Sequence, residues 1–72
     1  MAETKKLNRI KAVLAEKDKT GKQLAIELNV SPTTISRWSK NISQPDLVTI
    51  NKIALILDVD PRDLITGKNS KL

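Results

Sequence analysis

Residues 20–41, TGKQLAIELNVSPTTISRWSKN, decide the fold because they carry two helix-start signals only eleven positions apart. Thr20 with Gln23 three residues later is a capping-box pattern, in which each side chain satisfies a backbone amide of the other residue. Ser31 followed by Pro32 is a second start, since serine caps helices and proline fits the first helical position.

The two segments that follow these signals are too short to be stable alone. We predict helices at 21–28 and 32–40, whereas an isolated helix needs about 12–15 residues in water. Asn29 tolerates the left-handed backbone, so it can end the first helix sharply and leave a tight turn. Packing the two helices together would bury the apolar residues Leu24, Ala25, Leu28, Val30, Ile35 and Trp38. The pattern predicts a helix-turn-helix.

Helical spacing of aliphatic residues also predicts helices outside this stretch, at 4–17 and 47–57. A last short helix would begin after Asp60, with Pro61 at its first position. The first helix has one apolar face, formed by Leu7, Ile10, Val13 and Leu14. The core stripe of the fourth is Leu47, Ile50, Ile53, Ala54 and Leu57. No clear alternating pattern indicates a strand, so the expected class is all-α with five helices.

The third predicted helix has a polar face opposite Ile35 and Trp38. That face carries Thr33, Ser36, Arg37 and Lys40. A helix about 10 Å across fits the major groove of DNA, where base edges present distinguishable donors and acceptors. We therefore expect the second helix to brace the third, and the third to read DNA.

The charge is unevenly distributed along the chain. The net charge is +5, residues 1–22 hold seven Lys and Arg against three acids, and residues 46–63 hold two against four. A basic half suits an anionic partner, most simply nucleic acid. One Trp with no Phe or Tyr argues against stacking on single strands and favours duplex DNA.

Other function classes lack their residues. With no Cys and no His, no nucleophile–base pair and no phosphate-binding glycine loop, we expect no enzyme, no cofactor and no metal site. Asp60 and Asp63 are better explained as helix caps than as metal ligands. No apolar run reaches the ~18 residues of a membrane span, and the N-terminus lacks the apolar region of a signal peptide. We expect a cytoplasmic protein with one domain over 1–72, a core at about 7–66 and a frayed tail at 67–72.

Three segments carry a resemblance to a known family: QLAIELNVSPTTISRW, QPDLVTINKIA and LDVDPRDLI. Together they make residues 7–66 similar to the lambda-repressor-like, or Xre-type, DNA-binding domain. The resemblance implies five helices, usually a dimer, and operator binding by the third helix.

The resemblance also assigns residues to DNA. It implies base contacts from Pro32, Thr33 and Arg37, with Ser36 beside them. It implies phosphate contacts from the end of helix three, at Lys40, Asn41 and Ser43. The family often has Gln at the first residue of helix two, where this chain has Gly21. The phosphate contact there would come from the Gly21 amide or from Lys22.

The fourth predicted helix has surplus apolar residues. Val48 and Leu55 lie together on a helical wheel, away from the core stripe, and Ile56 is also apolar. Local packing against the fifth helix or the tail is one reading. The other is a homodimer interface, which would place two copies of the third helix about one DNA turn apart on a palindromic operator.

The functional prediction is a sequence-specific DNA-binding transcriptional regulator, most simply a homodimeric repressor. One alternative is an antitoxin that binds a toxin and represses its own operon, in which case Val48, Leu55, Ile56 and Ile42 could meet the toxin. A restriction-modification controller is another alternative.

Overall fold

The computed structural model describes residues 6–65, and within that range the protein is all-helical. Its elements are α1 (Ile10–Glu16), α2 (Gly21–Leu28), α3 (Pro32–Ser39), α4 (Leu47–Leu57) and a 3₁₀ turn (Pro61–Leu64). The all-α class and the helix-turn-helix formed by α2 and α3 agree with the sequence prediction. Strand-like pairing among the described residues is limited to an isolated antiparallel bridge between Asn8 and Ile65.

The predicted fifth α-helix is not confirmed, because its place is taken by the 3₁₀ turn. Asp60 caps this turn, with Oδ1 accepting from the amide of Arg62 at 2.8 Å. Ile65 then adopts an extended backbone, with φ −113° and ψ 137°, and pairs with Asn8. A residue held in this extended conformation cannot continue a helix, so the element ends after four residues.

The predicted caps of α2 and α3 are confirmed. Thr20 Oγ1 accepts from the amide of Gln23 at 3.1 Å, and Gln23 Oε1 accepts from the amide of Thr20 at 2.9 Å. Ser31 Oγ accepts from the amide of Thr34 at 3.1 Å. Asn29 ends α2 with φ 62°, in the left-handed conformation. Local side-chain chemistry therefore fixes both ends of the tight turn.

The predicted start of the first helix is wrong for the described residues. Helix α1 begins at Ile10, because the preceding amides bond elsewhere: Arg9 N–H donates to Leu64 O at 2.9 Å. Leu7 lies outside the helix and is 52% exposed, so it does not share the buried face of α1. Residues 4 and 5 of that prediction, and the frayed tail predicted at 67–72, lie outside the described residues.

The core gathers apolar side chains from every helix. Its buried members are Ile10, Val13, Leu14, Leu24, Ala25, Ile35, Ile50, Ile53, Ala54, Leu57 and Leu64. Trp38 packs against this cluster and remains partly exposed. Leu47 was expected in the core stripe but is 75% exposed. Leu47 is the first residue of α4. A helical wheel shows which side of the helix a residue lies on, but it does not show whether another element covers the first turn.

Candidate nucleic-acid interface

Helix α3 presents one buried and one exposed face. Ile35 is buried at 1% exposure, whereas Thr33, Ser36 and Arg37 on the outer side are exposed. The Ser31 cap and Pro32 at the first helical position fix where the helix starts. The exposed side chains therefore lie on a helix whose other face packs into the core. A helix that inserts into a DNA groove needs this geometry.

The guanidinium of Arg37 makes no ion pair with any residue from 6 to 65. The ion pairs in that range join Arg9 to Glu16, Lys19 to Glu27 and Arg62 to Asp60. Outside the helix, Arg37 is engaged through its backbone carbonyl, which accepts from the amides of Ile42 and Ser43 at 2.9 and 3.4 Å. Its planar set of donors is thus available for a ligand outside the described chain.

The start of α2 lies close against α3. A Cβ added at Gly21 would come 3.2 Å from Cγ2 of Ile35, tighter than ordinary contact. Glycine avoids this tight contact at a position where the family that the sequence resembles often has glutamine. Amides in the first turn of a helix have no partner within the helix, so the Gly21 amide suits an anion.

Five of the nine residues assigned to DNA line a single groove beside α3. They are Gly21, Lys22, Pro32, Ser36 and Lys40. Thr33 and Arg37 lie outside this groove, on the exposed face of the same helix. The structure therefore places the residues predicted to contact bases and most of those predicted to contact phosphate on one side of the molecule.

Asn41 differs from the other eight residues assigned to DNA because its side chain forms hydrogen bonds within the protein. It is 8% exposed, and its Oδ1 accepts from the amides of Leu7 and Asn8 at 2.8 and 3.0 Å. Gln44 Nε2 donates to the same oxygen at 3.1 Å, and Asn41 Nδ2 donates to Asn8 O at 3.3 Å. Asn41 thus fastens the segment before α1 to the end of α3.

Sequence reasoning missed Asn8, the partner in this network. Asn8 Nδ2 donates to Trp38 O at 3.0 Å and to Gln44 Oε1 at 2.7 Å, while Oδ1 accepts from the amide of Ile10. An available signal was that asparagine commonly precedes a helix as a cap. Ser43, also assigned to phosphate, is half-buried in the loop that follows.

The outer face of α4 carries two exposed apolar side chains, Val48 and Leu55, with the exposed polar residues Asn51 and Lys52 between them. Val48 and Leu55 are 63% and 82% exposed, whereas Ile56 is partly buried and packs against the core. Two of the three residues predicted at a dimer interface therefore project from the molecule.

Two aspartates at element starts have lowered pKa values. Hydrogen bonds from Thr49 hold the pKa of Asp46, the α4 cap, below its ordinary value of 3.8. Hydrogen bonds from Arg62 do the same for Asp60. Both carboxylates belong to the acidic stretch 46–63, so the negative charge is kept in the C-terminal part of the chain.

These features define a helix-turn-helix protein whose α3 is exposed, anchored and bordered by lysines. The profile of the Cro/C1-type HTH DNA-binding domain matches residues 9–68, and the chain belongs to this family. It is a DNA-binding domain of the type found in transcriptional regulators.

Solved structures similar to the chain include two that cover most of its length. A candidate DNA-binding protein from Bacteroides fragilis, known from a crystal structure, is 55% identical with a TM-score of 0.83, over 83% of this chain and 97% of that one. The solution structure of the SOS-response transcriptional repressor LexA from Eubacterium rectale is 26% identical with a TM-score of 0.73, over 89% of this chain and 68% of that one. No functionally curated protein matches the sequence.

Residues 6–65 contain no cluster of three or more His, Cys, Asp or Glu side chains that could hold a metal ion. None of the helices in that part of the chain has the length and apolar character needed to cross a membrane.

Proposed function

We propose that this chain is a cytoplasmic, sequence-specific transcriptional repressor that binds a palindromic duplex operator as a homodimer, without enzymatic activity or cofactor. The observation that carries the proposal is the exposed outer face of α3, whose Arg37 makes no ion pair within residues 6–65. The similarity to a LexA repressor supports the direction of regulation, since a bound operator is closed to polymerase.

Each of the side chains of α3 that we assign to base recognition makes a different kind of contact. Arg37 offers paired donors to O6 and N7 of a guanine, the commonest specific contact in the major groove. Thr33 and Ser36 are short and exposed, and their hydroxyls donate to or accept from a base edge. Pro32 has no amide hydrogen and supplies an apolar contact.

The phosphate contacts flank these residues on both sides. The Gly21 amide and Lys22 provide them at the start of α2, and Lys40 and Ser43 provide them after α3. Because the Asn41 side chain already bonds the segment before α1, we assign to it the role of holding this loop in place.

The exposed apolar pair on α4 supports the dimer. Val48 and Leu55 leave apolar surface in water, and pairing with a second copy would remove it. Ile56 would lie at the margin of that interface, since it already packs against the core.

An antitoxin remains the second candidate, favoured by the exposure of Ile42 at 54% in addition to Leu55. In that case a toxin would cover these apolar residues. A purified chain that self-associates and binds DNA without another protein supports the plain repressor, and a monomer that needs a toxin to bind supports the antitoxin. A neighbouring restriction-modification gene would indicate a controller protein.

The test is selection of bound sites from a random duplex pool with the wild type, Arg37→Ala and Arg62→Ala. We expect the wild type to enrich a palindromic motif. Arg37→Ala should lose the base preference at one base pair of each half-site, which corresponds to about 1–3 kcal/mol of discrimination between bases. Arg62→Ala is the matched control, because its arginine is exposed on the 3₁₀ turn and pairs with Asp60. A wild type that enriches no motif would overturn specific readout.

A further inference from the structure

A groove runs between α1 and the helix-turn-helix, on the side of α3 that faces α1. Its floor contains the core residues Leu14 and Ile35, with the small residues Ala15 and Ser39 beside them. Small side chains there leave room for a chain of phosphates and sugars to approach the protein closely.

Lysines from three different helices border this groove. Lys11 comes from α1, Lys22 from α2, and Lys40 follows α3. Within residues 6–65 none of these three makes an ion pair, whereas a fourth lysine in the lining, Lys19, pairs with Glu27 at 3.6 Å. No carboxylate from the described part of the chain, residues 6–65, lines the groove.

The groove continues along α1 into a second one. They share Lys11, Ala15, Ser39 and Lys40, and no acid among residues 6–65 lines the second groove. The second groove also contains Arg9, which pairs with Glu16 at 3.3 Å. The two grooves therefore form a continuous surface past α3 and along α1, with Lys11 and Lys40 in both, as a continuous anionic strand would require.

The same groove meets the face assigned to base reading, because Pro32 and Ser36 line it. We propose that it holds the sugar–phosphate backbone of one strand of the operator, with Lys11 of α1 as a phosphate contact outside the helix-turn-helix motif. The inference rests on the proposed function and adds α1 to the DNA-binding surface. Charge and continuity with the reading face both favour a nucleic-acid backbone as the occupant.

The test compares three variants that each lower the net charge by one: Lys11→Gln, Ala15→Glu and the control Lys17→Gln. Lys17 follows the same helix but does not line either groove. Affinity for the selected operator and for an unrelated duplex is measured over a range of salt concentrations. A backbone in the groove predicts that Lys11→Gln lowers the slope of log K against log salt by about 0.9 per bound protomer relative to Lys17→Gln.

The two groove variants should weaken binding to both duplexes by several-fold more than the control, without changing the selected motif, since a phosphate contact carries no sequence information. Ala15→Gln, which adds bulk without charge, should weaken binding less than Ala15→Glu. Equal affinities and equal slopes for Lys11→Gln and Lys17→Gln would overturn the groove proposal while leaving the proposed function intact. Failure of the wild type to select a motif would overturn the proposed function. The affinities of the variants for the unrelated duplex would still test whether the groove binds a DNA backbone.

Discussion

Helices α3 and α4 have similar inner faces and opposite outer faces. Each buries an isoleucine, with Ile35 at 1% exposure and Ile53 at 0%. Outside, α3 presents hydroxyls and the Arg37 guanidinium, whereas α4 presents the apolar Val48 and Leu55 beside Asn51 and Lys52.

The difference indicates which kind of partner each face suits. A polar face can exchange its bonds to water for bonds to base edges in the major groove. An apolar face leaves surface in water whose burial is favourable by roughly 25 cal/mol per Å², so it suits another protein surface. We therefore assign DNA to the outer face of α3 and a second copy of the chain to that of α4.

The largest effects should come from the inner faces, where the two helices are alike. We expect Ile35→Ala and Ile53→Ala each to lower the free energy of unfolding by about 2–5 kcal/mol, through lost burial and the cavity left behind. A domain this small has only a few kcal/mol of stability, so either variant can unfold it. Urea unfolding followed by circular dichroism and by the fluorescence of Trp38 measures this.

Thr33→Ala provides the matched control on the outer face of α3. It should change the free energy of unfolding by no more than about 0.5 kcal/mol, as exposed positions usually do. A stability loss as large as that of Ile35→Ala would show that the outer face of α3 is not free.

The next effect should appear on the outer face of α4. Leu55→Glu is expected to abolish or strongly weaken self-association, because each copy would lose about 1.5–3 kcal/mol of leucine burial and place a charge in the interface. Sedimentation across a concentration series, without DNA, measures it. Ile26→Glu is the control, since Ile26 is 76% exposed on α2. If Ile26→Glu disrupts the dimer and Leu55→Glu does not, the interface lies elsewhere.

A third prediction concerns the network that ties α3 to the segment before α1. Asn41→Ala removes the acceptor of two backbone amides and is expected to cost about 1–3 kcal/mol of stability. Asn41→Gly removes the same bonds but suits the φ of 60° at this position, so it should be less destabilising than alanine. Urea unfolding separates the two contributions. A fully stable Asn41→Gly would mean that only the backbone conformation matters, and not the network.

The contrast between this network and the α2–α3 turn shows what the sequence could predict. Thr20, Ser31 and Asn29 act within four residues of their own positions, so their caps and the left-handed end of α2 were visible in the pattern. Asn8 and Asn41 bond across 33 residues, and no local pattern reveals such a partner. The late start of α1 and the extended Ile65 depend on other distant contacts, between Arg9 and Leu64 and between Asn8 and Ile65.

The candidate site was predictable to a similar degree. The spacing of polar residues in the sequence of α3 is enough to predict its exposed face. The groove between α1 and α3 depends on how two helices separated along the chain pack together, and the spacing of residues within each helix does not specify that packing. The sequence therefore does not distinguish Lys11, which lines the groove, from the other basic residues of the N-terminal half.

The smallest effect should distinguish the caps of α3 and α4 at acid pH. Ser31 does not titrate, whereas Asp46 has a lowered pKa because Thr49 donates hydrogen bonds to it. A carboxyl whose pKa is lower in the folded state stabilises the fold above its unfolded value near 3.8, and that stability is lost as the pH falls through the folded value. Hydrogen exchange should therefore accelerate at the Thr49 amide relative to the Thr34 amide below about pH 4. Asp46→Asn keeps a good cap without a titrating group, so it should remove the difference; its persistence would assign the acid sensitivity to another carboxylate, such as Asp60.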